Sequence, residues 1–195
     1  MVGKSAVGGW LLLMLALMLL VLPIQWVIAA ILAAVFHELC HYGAVRLCGG
    51  SVDRLRIGSL GARMEVVGLS IVQELLCSLA GPLGSLLLLL AARWMPRTAI
   101  CAGFHGIYNL LPVYPLDGGR VLRCGATLFL PASIGQKVCK MIEGLCLCAL
   151  VLLGLYGTVF KGLGILPLAL SVSIVLRTTA GKKTLQTGRV FGTIE

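Results

Sequence analysis

Long apolar runs separated by short polar turns dominate this chain. Each run is continuous and approaches the length that crosses a bilayer, which predicts about six transmembrane helices. The predicted spans cover, approximately, residues 10–22, 26–47, 69–92, 98–109, 141–160 and 163–176. We therefore expect an α-helical polytopic membrane protein, because a barrel would show alternating polarity over about ten residues instead. The expected organisation is one intramembrane domain over residues 1–177 and a short cytosolic tail over residues 178–195.

Between spans two and three the pattern changes to alternating charged and apolar residues. The alternation surrounds a central Gly58-Ser59-Leu60-Gly61 turn. Period two with central glycines predicts a membrane-associated β-hairpin, and the edge of such a hairpin could pair with an extended peptide. An ordinary basic loop is the alternative interpretation.

A second interruption ends span four. Pro112 and Pro115 are followed by Asp117, Gly118 and Gly119, and this combination cannot continue a regular helix. Irregular backbone at membrane depth is tolerated only where it is buried in protein or lines a polar cavity. The interruption therefore predicts a functional position for Asp117, and capping of a following helix is the alternative.

Composition and charge support a membrane location. Of 195 residues, 59% are hydrophobic and 12% are charged, which is far more apolar than an ordinary soluble domain. The net charge of +9 does not indicate nucleic-acid binding, because the basic residues lie at the ends of apolar runs rather than in one stripe. On a six-span topology 13 of the 16 basic residues fall on the side of both termini, which the positive-inside rule makes cytosolic. Those on the other side are Arg93, Arg97 and Lys161.

Span two contains the sequence His37-Glu38-Leu39-Cys40-His41. Residues four apart share one face of a helix, so His37 and His41 could bind one metal ion, with Glu38 as general base towards a water molecule. Ionisable residues inside a membrane helix are costly, so they are candidates for function. The alternative is that the histidines are ordinary packing residues. The eight cysteines form no Cys-x-x-Cys pair, so they do not indicate a thiolate site.

Two histidines leave a catalytic zinc ion in need of one more protein ligand. Of the seven acidic residues, only Glu38 and Asp117 are embedded in the hydrophobic, structurally marked segments. Asp117 is therefore the expected third ligand. His105 in span four is the rival, although we expect it to line the substrate channel or bond a backbone carbonyl.

These motifs together resemble the site-2 protease family of intramembrane zinc metalloproteases, and most closely its sporulation type, which processes a membrane-associated pro-sigma factor. The matching segments are His37-Glu38-Leu39-Cys40-His41, Ala80-Gly81-Pro82, and the run from Asn109 to Gly119. The resemblance implies that His37, His41 and Asp117 bind one Zn²⁺, that Glu38 activates water, and that Asn109 holds the substrate or the oxyanion.

Two departures from the family pattern accompany the resemblance. Ser85 stands where many members carry asparagine, so the sequence assigns it no role. Sporulation-type members often carry a C-terminal CBS domain, and from the length of this sequence we expect no such domain here. The expected partners are the lipid bilayer, a membrane-tethered protein substrate and an inhibitory membrane protein, with no nucleic acid. The alternative function is a metal-binding membrane protein, a carrier or an inactive scaffold, without proteolysis.

Overall fold

The computed structural model describes residues 19–58, 61–162, 168–169, 171–176 and 178–179. The chain divides into two compact units, Met1–Leu110 and Leu111–Glu195, which are described in turn. The first unit contains helices and one hairpin in the order α1 (Ile24–Leu47), β1 (Ser51–Gly58), β2 (Gly61–Val67), α2 (Ile71–Leu87) and α3 (Pro96–Asn109). A 3₁₀ helix, Leu88–Ala91, extends α2. The second unit contains α4 (Asp117–Phe129) and α5 (Ala132–Val159).

The predicted hairpin is present. Strands β1 and β2 are antiparallel and pair from Ser51–Val67 to Gly58–Gly61, with an irregularity between Val52 and Arg54. The two-stranded sheet confirms the period-two interpretation of this stretch, while residues 59 and 60 of the predicted turn lie outside the described residues.

A small set of polar contacts fixes the ends of the hairpin. Helix α1 ends at Leu47 with Cys48 as its C-cap. Gly49 follows with φ of 78°, a left-handed conformation that glycine adopts without steric cost. Ser70 and Gln73 form a reciprocal capping box at the start of α2. The Gln73 side chain also donates a hydrogen bond of 3.0 Å to the Cys48 carbonyl, so the two helix ends are tied together directly.

Helix α1 has the reverse of the polarity expected for a helix at a water-exposed surface. Its buried residues include His37 and His41, whereas large apolar residues on the other faces are exposed. These exposed residues include Ile28, Ile31, Leu32, Val35 and Leu39. Exposed apolar faces around a polar interior are what a lipid solvent requires.

Small residues bring α2 and α3 close to their neighbours. A Cβ atom at Gly84 would overlap the Cys40 side chain on α1, with the Cys40 Cβ only 2.9 Å away. A Cβ at Gly106 of α3 would lie 3.0 Å from the Ser85 Cβ on α2. Close backbone approach through glycine is typical of helix pairs in membranes. The three helices therefore pack tightly around the histidine face of α1.

Among the described residues, three helical segments are long and apolar enough to cross a membrane: Ile24–Leu47, Ile71–Ala91 and Ala132–Val159. They correspond to predicted spans two, three and five. Helix α3, in predicted span four, has only 14 residues. Predicted span one lies largely, and predicted span six partly, outside the described residues. The six-span count therefore stays a prediction, as does the domain boundary at residue 177.

The helix of predicted span five begins earlier than the predicted start at residue 141. Helix α5 begins at Ala132, directly after Pro131, and Gln136, Lys137 and Lys140 are exposed residues on its first turns. A helix can continue beyond its apolar run when its polar side chains face outward. These polar residues lie before the start of the apolar run, but the helix itself starts before them.

We predict that Gly84→Ala lowers the stability of the first unit. The added methyl group would overlap Cys40, and overpacking of this kind costs about 1–3 kcal/mol. The matched control is Gly43→Ala on α1, where a Cβ would meet nothing within 4 Å. That control should be neutral or stabilising by about 0.5–1 kcal/mol, because alanine favours helix more than glycine does. Thermal unfolding of both variants in detergent checks the difference, and equal midpoints would contradict it.

Candidate metal centre

His37 and His41 lie on the buried face of α1, as their spacing predicts. The exposed fraction is 1% for His37 and 8% for His41. Their rings meet edge to face, with centroids 4.7 Å apart. The Nε2 atoms of the two rings are only 3.1 Å apart, so both rings turn the same nitrogen towards one point.

The other ring nitrogen of each histidine is bonded to α2. Nδ1 of His41 lies 2.7 Å from the Cys77 carbonyl oxygen, and Nδ1 of His37 lies 2.9 Å from the Ser85 hydroxyl. Bonds of this kind at Nδ1 orient an imidazole and leave its Nε2 for a metal ion. The donor set therefore fits a divalent metal ion that prefers nitrogen ligands, such as zinc.

Helix α2 can supply these partners because it carries Gly81 opposite His41. A Cβ atom at Gly81 would overlap the His41 ring, with ring carbons at 2.5 and 2.6 Å. The Ala80-Gly81-Pro82 segment, recognised in the sequence as part of a family pattern, thus has a concrete role in this structure. Its glycine provides the space that the second histidine occupies.

His105 on α3 lies beside His37. Its ring meets that of His37 edge to face, with centroids 4.6 Å apart. Its backbone carbonyl accepts a hydrogen bond of 3.1 Å from the Asn109 side chain, one turn later in the same helix. His105 is thus a neighbour of His37, and Asn109 bonds to the helix that it ends.

The two acidic residues of the predicted site have different local settings. Glu38 is half-buried on α1, directly after His37. Asp117 is the first residue of α4 in the second unit and is also half-buried. Leu116 precedes Asp117 as the N-cap residue.

Glu143 is a buried carboxylate near the start of predicted span five. Its side chain is 7% exposed within α5. Its carboxylate accepts a hydrogen bond of 3.1 Å from the Tyr114 backbone N–H. The Arg123 guanidinium covers the Tyr114 ring at 4.3 Å, at one side of a cavity of about 550 Å³. Glu143 thus supports the irregular segment between α3 and α4, within the second unit.

Comparison with known proteins identifies the family. A family model described as Peptidase M50B-like matches residues 10–115, which is more than half of the chain. The chain belongs to the M50B-like peptidase family. No curated protein matches it. The family resemblance that the histidine, Gly-Pro and Asn109–Gly119 motifs suggested is confirmed at this level.

A solved structure gives the fold. The chain is similar to the Site-2 Protease from Methanocaldococcus jannaschii, with a TM-score of 0.66 at 19% sequence identity. The similarity covers 94% of this chain and 90% of that one. At this identity the likeness establishes the fold, and family membership establishes the class of enzyme. Together they support an intramembrane metalloprotease, with a mostly helical fold and one small antiparallel sheet.

We predict that Glu143→Leu destabilises the second unit. Leucine has a similar size but no acceptor, so the hydrogen bond from the Tyr114 N–H would be lost at a cost of about 1–3 kcal/mol. Glu143→Gln is the matched control, because its side-chain oxygen can still accept that bond. Denaturant unfolding in detergent should place Glu143→Leu clearly below Glu143→Gln. Equal stability of the two variants would show that the Tyr114 bond contributes nothing.

Proposed function

We propose that this protein is an intramembrane zinc metalloprotease that hydrolyses a peptide bond in or next to the membrane segment of a tethered protein. The observation that carries the proposal is the histidine pair. Two buried imidazoles turn their Nε2 atoms to within 3.1 Å of each other, and both Nδ1 atoms are bonded to α2. Such a pair favours a shared cation over two ordinary packing residues.

We propose Asp117 as the third zinc ligand. Two histidines with one carboxylate are a typical ligand set of catalytic zinc, and Asp117 is the acidic residue at the interruption that follows span four. A carboxylate also lowers the charge of a dication that two neutral imidazoles leave uncompensated. This matters in an apolar environment, where an uncompensated charge is costly.

Glu38 would act as the general base and acid of the reaction. When bound, zinc supplies Lewis acidity that acidifies a water molecule and polarises the scissile carbonyl. The Glu38 carboxylate takes a proton from the attacking water and returns it to the leaving amine nitrogen. Its place directly after His37 gives it the position of the glutamate in the zinc-binding His-Glu-x-x-His helix.

The remaining site residues would handle the substrate. Asn109 ends α3 with its amide bonded to the His105 carbonyl, and we propose that it also holds the substrate or the oxyanion. The β1–β2 hairpin would pair with the substrate as an added strand. A helical substrate must unwind to do so, because its amides are otherwise hydrogen-bonded within the helix.

The proposed substrate is a tethered transcription-factor precursor, such as a pro-sigma factor. The sequence motifs that resemble the sporulation type of site-2 protease support this class. The charge distribution supports cleavage at the cytosolic side of the cell membrane, because 13 of the 16 basic residues fall on the side of both termini in the six-span topology.

We predict that Glu38→Gln abolishes cleavage while zinc stays near one ion per chain. Glutamine keeps the size of the side chain but cannot take a proton, and loss of a general base typically costs at least about 10²-fold in rate. Cleavage of a co-expressed tethered precursor and metal analysis of the purified variant give the two readouts. If the variant retains more than about a tenth of the wild-type rate, Glu38 is not the base.

We predict that Asp117→Ala loses most of its zinc and all cleavage, while His105→Ala keeps its zinc and part of its activity. The two residues are the rival third ligands, and each variant is the control for the other. The expectation for His105 follows from its edge-to-face contact with the His37 ring, which makes it a neighbour of a ligand. Metal analysis decides between them, and an empty His105→Ala beside a loaded Asp117→Ala reverses the assignment.

A further inference from the structure

We propose that the cavity between α4 and α5 binds the headgroup of an anionic phospholipid. The phosphate would lie between the Arg123 guanidinium and the Lys140 ammonium, and both residues line the cavity. This inference goes beyond the proposed proteolysis. It concerns the second unit alone and needs neither the metal ion nor the protein substrate.

The cavity forms where α4 and α5 are joined by a short connection. Only Leu130 and Pro131 separate the two helices, and a Cβ atom at Gly135 would lie 3.4 Å from the Ala126 carbonyl oxygen. The helices are therefore in close contact near the connection. The cavity of about 550 Å³ extends from there to Tyr114, and its size is usual for a small-molecule site.

Four polar side chains of the cavity wall come from facing helices. Arg123 and Thr127 are four residues apart on α4. Gln136 and Lys140 have the same spacing on α5. Residues four apart share one face of a helix. The cavity therefore offers two cations, together with a hydroxyl and an amide that can both donate and accept hydrogen bonds.

The charge of the cavity favours an anion. Its charged residues are two cations, Arg123 and Lys140, and one carboxylate, Glu143. The carboxylate is buried and accepts a hydrogen bond from the Tyr114 N–H, whereas the two cations are exposed. Within the part of the chain that the structure describes, neither cation forms a salt bridge. An anion at the open side would neutralise this charge.

Contact with Tyr114 prepares Arg123 for a phosphate. The guanidinium carbon lies 4.3 Å from the centre of the Tyr114 ring. A cation–π contact of this kind uses the face of the guanidinium, whereas its N–H donors lie in its plane. Those donors can form a bidentate pair with a phosphate while the cation stays on the ring.

The length of α5 places the cavity at the level of lipid headgroups. Its apolar part, residues 141–159, is roughly 28 Å long, which is close to the hydrocarbon core of a bilayer at about 30 Å. Residues 132–140 therefore extend beyond the core, and several of them line the cavity. Phe129 and Ile134, on either side of the connection, are exposed, as apolar side chains that enter the membrane interface would be. This location favours a phospholipid over a phosphate compound from solution.

An anionic headgroup without an amine fits better than a zwitterionic one. An ammonium headgroup would bring a third cation beside Arg123 and Lys140, whereas glycerol hydroxyls could bond to Thr127 and Gln136. In the proposed six-span topology this end of α5 is cytosolic, and anionic lipids of the cytosolic leaflet attract basic residues. Phosphatidylglycerol therefore has the chemistry that the cavity requires.

The test measures the binding of phosphatidylglycerol to the full chain in a neutral detergent by native mass spectrometry. We expect one retained molecule per chain and weaker binding of phosphatidylcholine. Lys140→Gln should weaken phosphatidylglycerol binding about fivefold, because one basic residue near a lipid surface contributes about that factor. The matched control is Lys137→Gln, which removes the same charge from an exposed position of α5 that does not line the cavity. That control should leave the affinity unchanged.

A second readout is the thermal midpoint of unfolding in detergent. Added phosphatidylglycerol should raise the midpoint of the wild type, because a ligand of the folded state stabilises it. The rise should be smaller in Lys140→Gln than in Lys137→Gln. No rise in the wild type would overturn the inference.

Three results of the binding measurement would also overturn it. Equal binding of phosphatidylcholine, or an equal loss in the two lysine variants, would show diffuse attraction instead of a site. Displacement of the lipid by inorganic phosphate would show a site for anions from solution, and displacement by a soluble acidic peptide would show a protein-docking site. None of these measurements involves zinc or cleavage, so a failure here leaves the proposed function standing, and an inactive protein could still bind the lipid.

Discussion

The structure of the first unit depends on the need to satisfy two imidazoles in apolar surroundings. A buried polar group without a partner costs about 1–3 kcal/mol, and each ring has two nitrogens to satisfy. Helix α2 provides a partner for each Nδ1, through the Cys77 carbonyl and the Ser85 hydroxyl. Because both Nδ1 atoms are engaged on that side, the Nε2 atoms face each other. The packing of α1 on α2 therefore also sets the orientation of the two histidine rings.

Close approach of the helices is the condition for these bonds. Gly81 and Gly84 leave no Cβ atom where the His41 ring and the Cys40 side chain lie, and Gly106 does the same beside Ser85. Dispersion contacts and hydrogen bonds must hold helices together in lipid, since the lipid tails are as apolar as leucine. The glycines therefore contribute both to helix association and to the geometry of the histidines.

The second unit holds the irregular backbone segment before α4 in place. Residues between α3 and α4 contain two prolines, so some of their backbone groups need partners from outside a regular helix. Glu143 of α5 provides one, by accepting from the Tyr114 N–H. Irregular backbone of this kind is compatible with a membrane only where protein or a polar cavity surrounds it. A carboxylate inside a helix long enough to cross a membrane is thereby explained without a catalytic role.

The sequence by itself determined the helices of the first unit, the hairpin and the histidine pair, because these depend on local periodicity and on residue spacing. It also determined the family, through motifs whose residue types are themselves the chemistry. Only tertiary structure revealed the hydrogen bond between Ser85 and His37, the burial of Glu143 and the contact of His105 with His37, because each joins residues of different elements through side-chain direction. The early start of α5 was missed because polarity marks where an apolar face ends, whereas a helix ends only where its backbone bonds stop.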